Sequence, residues 1–369
     1  MKLDRLDWFF LILVFLILTV GVVDIWSASY QINQGSYASY PMKQLFWISF
    51  SGAIFVGLLF IPYLKFYQRA YFLYACGIAL LILTIVIGKT VNGSRRWIAL
   101  GPFSMQTSEV MKILIVIALA RYLKDRPRLD RWQDLLPALG ITFLPMIIIL
   151  RQPDLGTAML FIPILFAMLL AAGARVSHLI LLIVIGINCL PVGYFFLKPY
   201  QKARLRTFIS LGDLSASQRM GEAYQAYQSQ IGVGSGGMLG KGWGKGTQNR
   251  LNFVPERHND FIFSVHCEEF GFLGAMILLG LYFLLFLSGL SSASSSREMF
   301  GRLVIVGTIT MMAMQVCINV GMTIGIFPIT GLTLPLVSYG GSSMVTTFIG
   351  LSLIMGVKMR KSMIRSVLA

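Results

Sequence analysis

The densest set of chemically able side chains in this 369-residue chain is Pro255-Glu256-Arg257-His258-Asn259-Asp260. Carboxylate, guanidinium and imidazole groups this close can take up a proton and hold an anion. Asp260 stands where a long polar stretch gives way to an apolar run. That places it at the first turn of a helix, where a carboxylate is favoured and where N-capping is the structural alternative. Continued as a helix, Asp260, Ser264 and Glu268 fall at i, i+4 and i+8 on one face. Asp260 is a candidate functional carboxylate. Arg204, Lys241, Lys245 and Arg257 are candidates to hold an anionic ligand, with Arg95 and Arg96 available from a shorter loop. His258 joins them as a substrate-binding candidate.

Eight of the fifteen residues in 232–246 are glycine. Gly232, Gly234 and Gly237 spell G-x-G-x-x-G, but no strand–helix–strand unit surrounds them, so a dinucleotide site is excluded by context. Glycines leave backbone N–H groups free to approach a phosphate, and Lys241 and Lys245 stand beside them. A flexible loop without a ligand is the alternative.

Ionisable side chains at membrane depth are costly and by default mark function. Asp24, Glu109, Lys112, Arg151, Asp154, Asp260, His266, Glu268 and Glu269 qualify by position. Glu109 and Lys112 share a helix face and can pair. Arg151 and Asp154 flank Pro153 and can pair across a helix break. Glu109, Lys112 and Asp154 are counted as substrate-binding candidates, a purely structural ion pair being the rival reading for both couples. Trp97 can stack on a sugar, although an aromatic anchor at the interface is the simpler reading. No ligand spacing specifies a metal. A divalent ion, Mg2+ or Mn2+, is expected only to help neutralise an anionic leaving group, and no organic cofactor is called for.

The elements that must position these residues follow from composition. The chain is 56% hydrophobic and 12% charged, whereas a soluble domain carries roughly 25% charged residues. A soluble enzyme, a disordered chain and a nucleic-acid-binding domain are excluded. Apolar runs bounded by charge predict an all-α polytopic membrane protein with ten transmembrane helices. They lie near 8–27, 45–63, 70–88, 110–122, 136–150, 155–173, 178–197, 260–289, 303–325 and 341–357. Residues 1–369 read as one integral membrane domain, with a long extracytoplasmic loop, 198–258, between helices 7 and 8. The side bearing both termini holds 16 Lys and Arg residues and the opposite short loops hold 6, so both termini are expected in the cytoplasm. The long loop adds nine basic and three acidic residues, either a surface suited to an anionic ligand such as a lipid pyrophosphate or simply a solvated basic loop. Cys76, Cys189, Cys267 and Cys317 lie in apolar stretches and are expected as small core residues.

The stretch Asn319–Ser343, NVGMTIGIFPITGLTLPLVSYGGSS, resembles the signature of the shape, elongation, division and sporulation family. Trp26-Ser27-Ala28-Ser29, Arg96-Trp97, Gln152-Pro153-Asp154-Leu155-Gly156-Thr157 and the segment ending at Asp260 match in the family's order. Arg257, the QPDLGT run and the short termini are similar to the rod-shape branch rather than the division branch. Thr107 departs from the family, which usually has Pro there; Thr or Ser can still cap the helix. The resemblance implies a peptidoglycan glycosyltransferase that polymerises lipid II during cell elongation, at the outer face of the bacterial inner membrane. It implies a class B penicillin-binding protein and the elongation machinery as partners, a nascent glycan strand as second substrate, and an essential Asp260. An α-linked pyrophosphate donor giving a β linkage requires inversion, hence one base, the role the resemblance implies for Asp260, and charge stabilisation at the leaving group. Two rivals remain at this point. A lipid-linked-sugar flippase would need polar contacts along the full membrane depth. A non-catalytic scaffold for a transpeptidase would not need a carboxylate at position 260; Gly321 and Gly325 form a GxxxG suited to helix contact, though internal packing explains it equally well.

Overall fold

The structure, a computed structural model, describes residues 6–31, 36–37, 39–91, 94–100, 103–126, 129–196, 199–209, 222–251, 253 and 256–368. Lys2, Arg5, Arg128, Lys198, Asp213, Arg219 and Pro255 lie outside the described residues, as does 210–221 of the long loop. The helices are α1 (Trp8–Ala28), α2 (Tyr40–Phe60), α3 (Tyr63–Ile87), α4 (Thr107–Lys124), α5 (Trp132–Arg151), α6 (Leu155–Ala171), α7 (Val176–Phe196), α8 (Pro199–Ile209), α9 (Glu222–Ser235), α10 (Thr247–Arg250), α11 (Ile262–Ser294), α12 (Met299–Thr323) and α13 (Gly341–Leu368). Two small antiparallel sheets accompany them. One pairs β1 (Tyr30–Gln31) with β2 (Ser36–Tyr37); the other orders β3 (Lys89–Val91), β4 (Ser94–Leu100) and β5 (Phe103–Gln106).

Helices stand at every predicted span. Seven of them, α1, α2, α3, α5, α11, α12 and α13, are long and apolar enough to cross a membrane. The other three predicted spans fall on α4, α6 and α7. α6 and the first part of α7 are shorter apolar helices. α4 carries Glu109, Lys112, Arg121 and Lys124, yet 14 of its 18 residues are buried, so protein rather than lipid surrounds it. A charge that lipid would expel is tolerated there. The purely helical expectation misses the β3–β4–β5 sheet, and the long loop carries α8, α9 and α10. Helix starts also differ. α2 begins at Tyr40, with Pro41 in the first turn where its missing N–H goes unused. α3 begins at Tyr63, because Lys65, Gln68 and Arg69 are polar but helical.

α12 packs on α4, α6, α11 and α13; α3 lies on α4, α1 on α11, and α2 on α13. Phe46, Phe50 and Phe60 on α2 and Phe72 and Val86 on α3 point outward, as suits an apolar solvent. The cysteine expectation is corrected for three positions. Cys76, Cys189 and Cys317 are exposed and only Cys267 is buried, because a small apolar side chain has nothing to gain from the interior when lipid lies outside. The GxxxG pair is used internally. A Cβ on Gly321 would meet the Phe327 ring at 2.2 Å, and one on Gly325 would meet Gln230 at 1.9 Å.

α11 is two helices joined at Gly271, whose φ is +67°. The break frees carbonyls and N–H groups at membrane depth, which must find partners in protein. The glycine-rich segment supplies them. Lys241 N and Gly242 N donate to Glu268 O and Glu269 O, both at 3.0 Å. Phe272 N and Leu273 N donate to Gly237 O and Met238 O at 2.8 and 3.1 Å. The glycines allow close approach: a Cβ on Gly236 would sit 2.0 Å from Cys267 O. The N–H groups of Lys241 and Gly242, expected to meet a phosphate, are thus engaged by a broken helix.

Candidate active site

Asp260 lies in a turn, 256–261, two residues ahead of α11 and outside that span. It is not the N-cap. That position is Phe261, and no side chain caps it. The turn is held by its carbonyls. His258 O accepts from Tyr339 N at 3.0 Å, Asn259 O from Ser338 Oγ at 2.7 Å, and Asp260 O from Asn319 Nδ2 at 2.9 Å. The Asp260 carboxylate rests against Gly331, where a Cβ would come within 3.4 Å of Oδ2. Gly331 has φ +73°, a backbone shape other residues rarely take. The Asp260–Ser264–Glu268 face does not form one cluster. Ser264 Oγ turns back to Phe261 O, and Glu268 binds Lys241, Thr247 and Gln248.

Burial pushes the Asp260 carboxyl up to about 7. The Glu256 charge adds to the rise and Asp154 contributes, while Arg204 and Arg96 oppose it. Four charged side chains from the turn, α8, β4 and the start of α6 therefore act on one carboxylate. A base with its pKa near neutrality is suited to proton transfer at physiological pH.

Asp154 is the N-cap of α6. Its Oδ2 accepts from Thr157 Oγ1, Ser108 Oγ and Gln106 Nε2, each at 3.0 Å. Arg96 approaches it at 4.0 Å and donates to Gln152 O and Pro153 O. The expected Arg151–Asp154 pair is not formed: Arg151 is exposed, and Arg96 holds the helix break instead. Rigid pairing of β4 with β5, Trp97 opposite Gln106, brings Arg96 and Gln106 to the same place. Trp97 is half-buried within this sheet. Thr107 opens α4 without capping it, its hydroxyl instead meeting Thr84 Oγ1 at 2.9 Å.

The other basic candidates separate. Arg204 joins the Asp260 cluster and donates to Ile329 O at 3.2 Å. Arg257 is buried, donating to Ala28 O at 2.7 Å and Tyr30 O at 3.3 Å, so it ties the turn to the end of α1. His258 stacks on Tyr40 with ring centroids 4.2 Å apart, and burial pushes its imidazole down to about 4, so it is neutral. Lys241 Nζ binds Glu268 at 2.7 Å and Ser235 Oγ at 2.7 Å. Lys245 is exposed beside Gly242. Below the site, His266 pairs with Asp24 at 3.0 Å and Ser27 Oγ donates to Glu269, joining α1 to α11. Gln106, Ser108, Asn319 and Gly331 are not among the site candidates of the sequence, which are mostly ionisable groups, although Asn319 and Gly331 stand within the family signature. A polar Asn within an apolar run was the available signal for Asn319.

Glu109 and Lys112 pair at 2.8 Å, with the lysine side chain fully buried and Glu109 Oε2 lacking a partner. Glu109→Gln is expected to destabilise by about 3–5 kcal/mol, because a buried ammonium then loses its counter-charge. Adding Lys112→Met should recover that stability, measured by thermal unfolding of the purified proteins. An unaltered unfolding midpoint in the single variant would show that the pair carries no net stability.

These features define a polytopic membrane protein with a carboxylate of raised pKa within electrostatic reach of two arginines. The family described as cell cycle protein, grouping FtsW, RodA and SpoVE, matches residues 7–363. Stage V sporulation protein E of Bacillus subtilis is 33% identical over 363 residues, covering 95% of this chain and 96% of that protein. Peptidoglycan glycosyltransferase MrdB of Escherichia coli is 34% identical over 361 residues, covering 98% and 95%. The rod shape determining protein RodA of Thermus thermophilus superposes with a TM-score of 0.72 at 31% identity, covering 96% of each chain. A chain from a structure described as coordinating polymerization and crosslinking in a peptidoglycan synthase complex gives 0.78 at 31% identity, covering 96% of this chain and 98% of that one. The chain belongs to the FtsW, RodA and SpoVE family, the shape, elongation, division and sporulation proteins whose motifs its sequence carries.

Proposed function

We propose that this chain is a peptidoglycan glycosyltransferase that polymerises lipid II into glycan strands, acting in the rod-shape, elongation branch of its family. The observation that carries the reading is Asp260, raised to about 7 and within electrostatic reach of Arg96 and Arg204. The acceptor sugar hydroxyl attacks the anomeric carbon of the donor. Asp260 takes the hydroxyl proton as the new C–O bond forms and the bond to the pyrophosphate oxygen breaks. Arg96 and Arg204 offset the charge that gathers on that leaving group. A divalent ion, Mg2+ or Mn2+, fits this scheme as a counter-ion carried by the pyrophosphate. Among the described residues no three His, Cys, Asp or Glu side chains gather into a ligand set, and the steps above belong to the side chains alone.

The Asp260 end of the bundle is assigned to the outer face of the bacterial inner membrane, with both termini in the cytoplasm. The excess of Lys and Arg on the terminal side supports this. A relative's place in a synthase complex that joins polymerization to crosslinking supports a class B penicillin-binding protein as partner. The test is polymerisation of purified lipid II by the purified chain and its transpeptidase, with transpeptidation inhibited. Activity should rise with pH through about 7, as Asp260 loses its proton. Absence of polymer from the intact pair would overturn the reading.

A further inference from the structure

Asn319 belongs to α12, is fully buried, and has one carboxamide nitrogen with two hydrogens to give. One goes to Asp260 O at 2.9 Å and the other to Leu332 O at 2.7 Å. Leu332 follows Gly331, the residue against which the Asp260 carboxylate rests. The amide therefore joins the two pieces of main chain on either side of that carboxylate. It is one of three ties. Ser338 Oγ gives its proton to Asn259 O at 2.7 Å and accepts from Leu334 N at 2.7 Å. Tyr339 N holds His258 O at 3.0 Å. Three successive carbonyls of the turn are thus pinned to α12 and to the irregular segment that precedes α13. Ser338 O is in turn held by Gln44 Nε2 of α2 at 3.3 Å.

We propose that Asn319 is a positioning residue for Asp260, fixing the distance between its carboxylate and the Gly331 wall, with Ser338 as its partner in that task. The proposal rests on the reading of Asp260 as the base. Asn319 touches neither sugar nor pyrophosphate; it acts through the main chain of the turn. A misplacement of about 1 Å is enough to cost on the order of 10²-fold in rate. Arg257 and the turn's own bonds to Glu256 O hold its other end, and the Asn319 amide holds the carbonyl of Asp260 itself. The carboxylate faces Glu256 from its own turn, Arg204 from α8, Arg96 from β4 and Asp154 from the start of α6. Its distance to each is set by where the turn sits. If the turn loosens, water reaches the carboxylate and the burial that lifts its pKa is relieved.

The test compares Asn319→Leu, which keeps the branched heavy-atom skeleton and removes both donors, with Ser338→Ala, which removes an independent tie without adding bulk. Asp260→Asn and the unaltered chain are run beside them on lipid II in complex with the transpeptidase. Asn319→Leu is expected to lower kcat on the order of 10-fold with little change in KM, and to move the acidic limb of the pH–rate profile below about 7. Ser338→Ala should move both in the same direction by less, and decides the matter if Asn319→Leu cannot be purified folded. A folded variant with unaltered kcat and an unaltered acidic limb overturns the proposal, as does a change confined to KM. Normal polymer from Asp260→Asn would instead overturn the base assignment, and with it any need to position that carboxylate.

Discussion

Replacing Asp260 by Asn is expected to cut glycan polymerisation by at least about 10²-fold, the low end for acid–base catalysis, in a protein that stays folded and bound to its partner. Asn fills nearly the same space but cannot accept a proton. The substitution also removes no helix cap, since the N-cap of α11 is Phe261. Its structural cost should be negative at high pH. The folded chain holds the Asp260 proton up to about 7, whereas an unfolded Asp releases it near 4. The stabilising contribution is complete below the unfolded value and is lost as pH rises through the folded one. The wild type should therefore lose stability across that window, and the Asn variant should lose less. Asp260→Glu keeps the charge but moves it one methylene toward Gly331, so it should retain little activity. Supplying lipid II in detergent removes any need for flipping, so a flippase would polymerise no worse with Asn at 260. Near-normal polymer from the purified Asn variant would sink the proposed mechanism.

Much of this was legible in the chain because membrane burial is written in runs of apolar residues. Every predicted span coincides with a helix, and the re-entry turn before α11 carries the carboxylate that its motif suggested. What the sequence hid was main-chain chemistry. Lys241 and the glycines look like a phosphate cradle because free N–H groups and a lysine are what such a cradle needs. The same N–H groups equally satisfy the carbonyls of a helix broken at Gly271, a partner about 30 residues away that no local pattern reveals. Arg151 reads as the partner of Asp154 because it is near in sequence, and nothing in the sequence places the distant Arg96 there. The β3–β4–β5 sheet, which brings Arg96 to Asp154, has strands of only 3–7 residues and no clear apolar alternation. Asn319 carries no charge, so a search for ionisable groups passes over it, although its amide holds the Asp260 carbonyl.

The broken helix yields the second large effect, at Gly240. Its φ is +78°, and a Cβ there would stand 2.1 Å from Glu269 O and 2.5 Å from the Glu269 carbonyl carbon. Neither atom can yield, because Glu269 O is fixed by Gly242 N at 3.0 Å. Gly240→Ala should therefore add left-handed strain of roughly 1–2 kcal/mol to overpacking of roughly 1–3 kcal/mol, enough to approach the margin of a typical fold. Gly244→Ala is the internal control. Its φ is +68°, but nothing lies within 4 Å of its Cβ, so it should meet only the strain. The unfolding midpoints of the two purified variants in detergent separate the contributions. Gly240→Ala should unfold well below Gly244→Ala, and proteolysis should open α9 and the segment before α11 first, since those are the elements the splice joins. Equal midpoints would show that the glycine segment merely lies against α11 rather than completing it, and that the first nine residues of α11, which follow directly on the Asp260 turn, take their rigidity from α1 and α12 instead.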